Sequence, residues 1–96
     1  MSAIVDQAVD ELNRRMGGRS FDGTAMFVLT GEGSIFVDQG TARKGEGPAD
    51  VTLTATPQTF MDILQGNLDP TSAFMTGKLA LDGDMGAAMK LASVLA

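Results

Sequence analysis

Asp50-Val51-Thr52-Leu53-Thr54-Ala55-Thr56 alternates apolar and polar side chains with period two, and Pro57 follows at once. Successive side chains of a strand point to opposite faces, so Val51, Leu53 and Ala55 face one way and the threonines the other. A strand with one dry and one wet face belongs to a sheet covered on one side. The Thr56-Pro57 step starts that cover: a hydroxyl able to cap a helix is followed by proline, whose missing N–H costs nothing at the first helical position. The helix then presents Phe60, Ile63 and Leu64 on one face and stops near Gly66-Asn67.

The other segments fit this arrangement. Val5, Ala8, Val9, Leu12 and Met16 recur at helical spacing between Ala3 and Met16, an amphipathic helix broken by Gly17-Gly18. Asp22-Gly23 turns into the apolar strand Thr24–Thr30, and Gly31-Glu32-Gly33-Ser34 leads to a hairpin partner, Ile35–Asp38. Gln39-Gly40 breaks the chain before the polar stretch Arg43–Pro48. Asp69-Pro70 repeats the cap-and-proline device for a short helix carrying Ala73 and Phe74. Lys78–Asp82 alternates as a strand, Gly83 turns, and Asp84 caps a last helix whose face is Met85, Ala88, Met89 and Ala92. The order helix, strands, helices, strand, helix predicts an α+β fold in one domain, residues 1–96, with an antiparallel sheet covered mainly on one face.

Composition narrows the chemistry. The chain has no Cys and no His, which removes disulfides, thiolate nucleophiles, the usual zinc ligands and the commonest general base near neutral pH. A formal net charge of -5 disfavours nucleic acid as a partner. The cluster Arg14, Arg15 and Arg19 leaves room for brief membrane contact. No apolar run approaches the ~20 residues of a membrane-spanning helix, and Met1–Asp6 has no basic leader, so a soluble, cytoplasmic chain is expected.

The features that resemble reactive motifs have simpler readings. Asp82 and Asp84 flank Gly83 as a carboxylate pair, but the turn needs the glycine, the helix needs the cap, and no further acidic ligand is near in sequence. Gly31-Glu32-Gly33 and Gly83-Asp84-Met85-Gly86 lack the length and the Lys-Ser/Thr of a phosphate loop. No catalytic residue, metal ligand or cofactor is predicted. The seven methionines and the phenylalanines Phe27, Phe36, Phe60 and Phe74 suit either an ordinary core or the wall of an apolar pocket.

Gly77-Lys78-Leu79-Ala80-Leu81-Asp82-Gly83-Asp84-Met85-Gly86-Ala87-Ala88-Met89-Lys90-Leu91 resembles the C-terminal signature of the sterol carrier protein 2 family. Asp50–Thr54, Phe60, Ile63-Leu64, Gly66, Leu68-Asp69-Pro70 and Ala73–Gly77 continue that pattern in the family's order. About half the chain carries the resemblance strongly; the leading helix and the strands around Phe27 and Phe36 are compatible with it. It implies a five-stranded, mostly antiparallel sheet covered by helices, with an apolar tunnel between them. It also implies non-catalytic binding and transfer of lipids such as a fatty acid or a sterol-like molecule.

The resemblance places Phe60, Ile63, Leu64, Leu68, Phe74 and Met75 on the helices lining that tunnel, Leu79 and Leu81 on a strand, and Met85 and Met89 on the closing helix. Phe27, Phe36 and Leu53 on the earlier strands complete the expected lipid-binding set. The chain ends at Ala96 without a Ser-Lys-Leu peroxisomal address, and its acidic balance offers no evident cluster for a coenzyme A phosphate, so free fatty acid or another lipid is favoured over acyl-CoA. The expected state is a monomer or weak homodimer. The alternative reading is an accessory or oligomerisation module presenting apolar substrates to a partner lipid enzyme, since similar domains occur fused to enzymes.

Overall fold

The computed structural model describes residues 3–16 and 23–95, with side chains as far as Leu91. The Gly17-Gly18 break, Arg19 and Asp22 lie outside the described residues, as do the side chains of Ala92 and Ser93. Helix α1 (Ala3–Met16) leads into strands β1 (Thr24–Leu29), β2 (Gly33–Asp38), β3 (Thr41–Lys44) and β4 (Val51–Ala55). Helices α2 (Pro57–Leu64) and α3 (Pro70–Met75), strand β5 (Leu79–Gly83) and helix α4 (Met85–Leu95) complete the chain.

The five strands form one sheet in the order β3-β2-β1-β4-β5. Each neighbouring pair is antiparallel except β1 and β4, which run parallel. Two successive hairpins, β1-β2 and β2-β3, use one side of β1 and leave its other side for β4. The registers put Phe27 beside Ile35 and Leu53, and Leu53 beside Leu81, so a row of apolar side chains crosses the inner face.

The alternation of Val51–Ala55 is realised as expected, with buried and half-buried residues alternating along the strand. Both cap-and-proline signals also operate. The Thr56 hydroxyl oxygen accepts from the Thr59 N–H at 3.2 Å, and an Asp69 carboxylate oxygen accepts from the Ser72 N–H at 3.1 Å.

Strand β3 is a correction. The sequence predicts a break at Gln39-Gly40 and places Arg43-Lys44 in a polar, glycine-rich stretch. Gln39 at φ 52° and Gly40 at φ 83° instead form a two-residue connection of the kind that joins tightly paired antiparallel strands. Thr41–Lys44 then pairs with β2, although Ala42 is its one buried residue. A strand with a single inward side chain leaves almost no hydrophobic pattern to read.

The outer edge of β3 is closed by α1. The Asn13 side-chain amide donates to the Ala42 carbonyl at 3.0 Å, and its oxygen accepts from the Ala42 N–H at 2.8 Å. The amide thus takes the place of a further strand at an edge that would otherwise expose unpaired backbone. Asn13→Ala is expected to cost about 1–2 kcal/mol in urea denaturation, since two hydrogen bonds go and water replaces them imperfectly beside the buried Ala42.

Helix α1 places Val5, Ala8, Leu12 and Met16 in the core at 0–2% exposure. It packs against β2, β3, α2 and α4. No buried residue is polar or charged among the described residues. The inner half of the protein is therefore held by apolar packing and the backbone ladder.

Candidate functional site: an apolar cavity under the helices

A cavity of about 170 Å³ lies between the β1-β4-β5 side of the sheet and helices α2, α3 and α4. Phe27, Leu53, Leu79 and Leu81 form its sheet wall. These four point the same way because each occupies an inward position of its strand. Phe60 and Ile63 come from α2, and the Phe60 ring is tilted at 52° on Phe27 with centroids 4.8 Å apart. That contact fixes the back of the cavity, where Phe27 and Phe60 are 1–2% exposed.

The front differs. Phe74 from α3 and Met85 and Met89 from α4 line the cavity, yet they are 43%, 52% and 71% exposed. They stand at an opening to solvent. The remaining wall is Pro70, Thr71 and Ala88. Thr71 supplies the one hydroxyl of the described lining, and none of the lining side chains is charged. Such a surface holds an apolar group by excluding water and offers no acid, base or nucleophile beyond that hydroxyl.

Several expected positions fall elsewhere. Phe36 is on the opposite sheet face, because it pairs with Met26 and with Arg43, which point away from the helices. There the Arg43 guanidinium covers its ring, 4.9 Å from the centroid. Leu64 lies about 100° further round α2 than Ile63 and is sealed in the core at 0% exposure. Leu68 follows the end of α2 and is half-buried against that core. Met75 ends α3 and is 78% exposed. None of these four lines the cavity.

The face of α4 is also rotated from the expected one. Among its described side chains Ala87, Ala88 and Leu91 are buried, while Met85 and Met89 flank them at the opening. Three lining residues were not anticipated as site residues. Pro70 had been read as a helix start, which it is, and its ring is also buried against the cavity. Ala88 shared the predicted apolar stripe of α4 but is too small to stand out. Nothing in the sequence distinguishes Thr71.

The two carboxylates that flank Gly83 lie in a strand and at a helix start. An Asp84 side-chain oxygen accepts from the Gly86 N–H at 2.9 Å, at the start of α4. Asp82 pairs with Thr52 across β4 and β5 and is exposed.

Comparison with known proteins follows the same lines. Sterol carrier protein 2 like 2 from Aedes aegypti superposes with a TM-score of 0.80 at 26% identity, covering 95% of this chain and 95% of that one. The palmitated form of that protein in solution gives 0.77 at 27% identity, over 99% of this chain and 95% of that one. Hydroxysteroid dehydrogenase-like protein 2 of Xenopus tropicalis is 35% identical over 97 residues, 93% of this chain and 23% of that protein. Sterol carrier protein 2 of Rattus norvegicus is 37% identical over 67 residues, 70% of this chain and 11% of that protein. The chain spans under a quarter of the length of these curated relatives. The SCP-2 sterol transfer family matches residues 7–96, and the chain belongs to that family.

Proposed function

We propose that this chain binds and transfers a lipid, with an acyl chain or similar apolar body held in the cavity between β1-β4-β5 and the three following helices. The observation that carries this reading is the lining itself, apolar throughout except for Thr71, closed at Phe27 and Phe60 and open at Phe74, Met85 and Met89. The palmitated relative with the same fold supports a fatty acid as the first ligand to try. Catalysis is not part of the proposal, since no titratable side chain faces the cavity among the described residues.

The energetics suffice. Each methylene removed from water contributes about 0.8 kcal/mol, so a dozen give roughly 10 kcal/mol before the costs of association, against ~8 for micromolar affinity. The cavity volume of about 170 Å³ is near that of the ~150 Å³ apolar cavity that accepts benzene, so a long chain needs extra room. The unbranched methionines at the opening provide it by changing rotamer.

Native mass spectrometry of freshly purified protein, with palmitate then offered to the extracted form, tests the proposal. The expected result is an adduct that extraction removes and palmitate restores. Ala88→Phe projects a ring into the cavity; it is expected to lower palmitate affinity at least tenfold and to leave the far-ultraviolet circular dichroism native. A clean mass with no uptake by the native chain would sink lipid carriage.

A second reading is favoured by one observation, that the curated relatives are several times longer than this chain and include dehydrogenase-like proteins. In it the cavity presents an apolar substrate to a partner enzyme. Uptake of palmitate with no transfer to acceptor vesicles would favour presentation over carriage.

A further inference from the structure

We propose that the free edge of β5 pairs with the β5 of a second copy of this chain, antiparallel about Ala80, joining two five-stranded sheets into one. The pairing needs no lipid in the cavity. The two edges of the sheet are finished differently. β3 is closed by the Asn13 side chain, which bonds both backbone groups of Ala42. β5 is the other edge, paired with β4 on one side, and no described residue bonds its far side. An edge left open in this way is a template for another strand.

Backbone geometry fixes which groups face outward. Thr54 is opposite Ala80 and Thr52 opposite Asp82, and two residues further on the Asp84 N–H donates to the Asp50 carbonyl at 2.9 Å. Hydrogen-bonded pairs of an antiparallel ladder recur at every second residue, so Ala80 and Asp82 turn their N–H and C=O groups to β4. Leu79 and Leu81 therefore turn theirs to the open edge. Two copies related by a two-fold axis at Ala80 set Leu79 of each opposite Leu81 of the other, in hydrogen-bonded pairs. Their side chains stay on the helix face, so the apolar row Phe27, Leu53, Leu81 continues into the second copy.

The charges choose this occupant and this register. Lys78 and Asp82 lie two residues to either side of Ala80, and all three are exposed. In the two-fold pairing each Lys78 stands opposite the Asp82 of the other copy, so opposite charges meet twice. An edge guarded by charges of one sign would repel its own copy, whereas this one is self-complementary. Slipping the register by two residues, the smallest step that keeps the outward backbone groups facing each other, loses the match. In one direction Lys78 meets Ala80, and in the other Gly83, at φ 113°, enters the ladder. One strand from each copy makes a small contact, and a net charge of -5 on each opposes it, so the pair is transient.

The chain has no cysteine, so a single substitution reports the register. In a non-hydrogen-bonded antiparallel pair the Cα atoms are about 4.5 Å apart, within the ~4.4–6.8 Å that a disulfide spans. Ala80→Cys, on the two-fold axis and outside the cavity wall, is expected to give a disulfide-linked dimer with oxidised glutathione. Gln7→Cys, exposed on α1, is expected to give at least tenfold less at the same concentration. Sedimentation velocity of the cysteine-free chain should show a monomer–dimer equilibrium that moves with concentration. Lys78→Glu sets acid against acid twice and is expected to weaken that dimer on the order of tenfold. Adding Asp82→Lys returns opposite charges to both pairs and the net charge to its original value, and should restore the dimer. Equal linkage at positions 7 and 80, no linkage at position 80, or a dimer that the second substitution fails to restore overturns the proposal. A chain that stays monomeric at every concentration also overturns it, and leaves the edge to a strand of a different protein.

Discussion

Gly83→Ala is expected to destabilise the fold by about 3–5 kcal/mol, a large part of the ~5–15 kcal/mol typical of a domain. Gly83 closes the β4-β5 ladder opposite Val51 with φ at +113°, a region that side-chain-bearing residues rarely adopt. A Cβ there would lie 2.4 Å from the Asp50 carbonyl oxygen and 3.0 Å from the Val51 Cα. Neither atom can retreat cheaply. The same Asp50 oxygen accepts from the Asp84 N–H at 2.9 Å, and Val51 opens the strand that pairs with both β1 and β5. Gly77 is the control, since at φ +80° its added Cβ meets nothing within 4 Å. Gly77→Ala should therefore cost only the conformational part, about 1–2 kcal/mol. Urea titration of both variants decides the matter: equal midpoints would show that the close approach at Gly83 contributes nothing.

Phe60→Ala is expected to cost about 3–5 kcal/mol in the ligand-free protein and to regain more than half of that with palmitate. The ring is 2% exposed and packs on Phe27, so its removal deletes buried contacts and adds its volume to an existing cavity. The surrounding sheet is paired on both sides of β1 and β4 and cannot collapse into the space. A bound chain can fill it. At a ligand concentration of one hundred times Kd, binding returns about 2.7 kcal/mol, and at about 4–8 °C per kcal/mol the melting temperature should rise by more than ten degrees. Thermal unfolding with and without palmitate measures this. Equal melting in both conditions would mean that the variant binds no palmitate and that the chain does not fill the space the ring leaves.

The parts of the fold that were legible in the sequence share a strong local signal. Val51–Ala55 alternates cleanly, Thr56-Pro57 and Asp69-Pro70 each join a cap to a pre-set φ, and α1 repeats its apolar residues every turn. The unread strand β3 buries Ala42 alone and owes its position to Asn13 and to the hairpin at Gln39-Gly40, neither of which is periodic. For the cavity, period two was enough to orient Leu53, Leu79 and Leu81. It also had the information to exclude Phe36, whose parity opposes Ile35, but a buried aromatic is read as inward and Arg43 covers it from outside. Met75 shows the other limit, since hydrophobic character does not reveal which end of a short helix projects into water.

The parallel pairing of β1 with β4 divides the chain into two stretches with different duties. Of the described side chains that line the cavity, Phe27 alone precedes Val51; every other one lies between Leu53 and Met89. The first stretch, α1 with the β1-β2-β3 meander, supplies one aromatic ring and a platform. If the cavity holds the ligand as proposed, ligand preference is encoded in the second stretch and can drift there by substitution without rewriting the first, provided the ring of Phe27 keeps a neighbour of similar bulk. A family built this way can diversify its cargo while its scaffold stays under separate constraint.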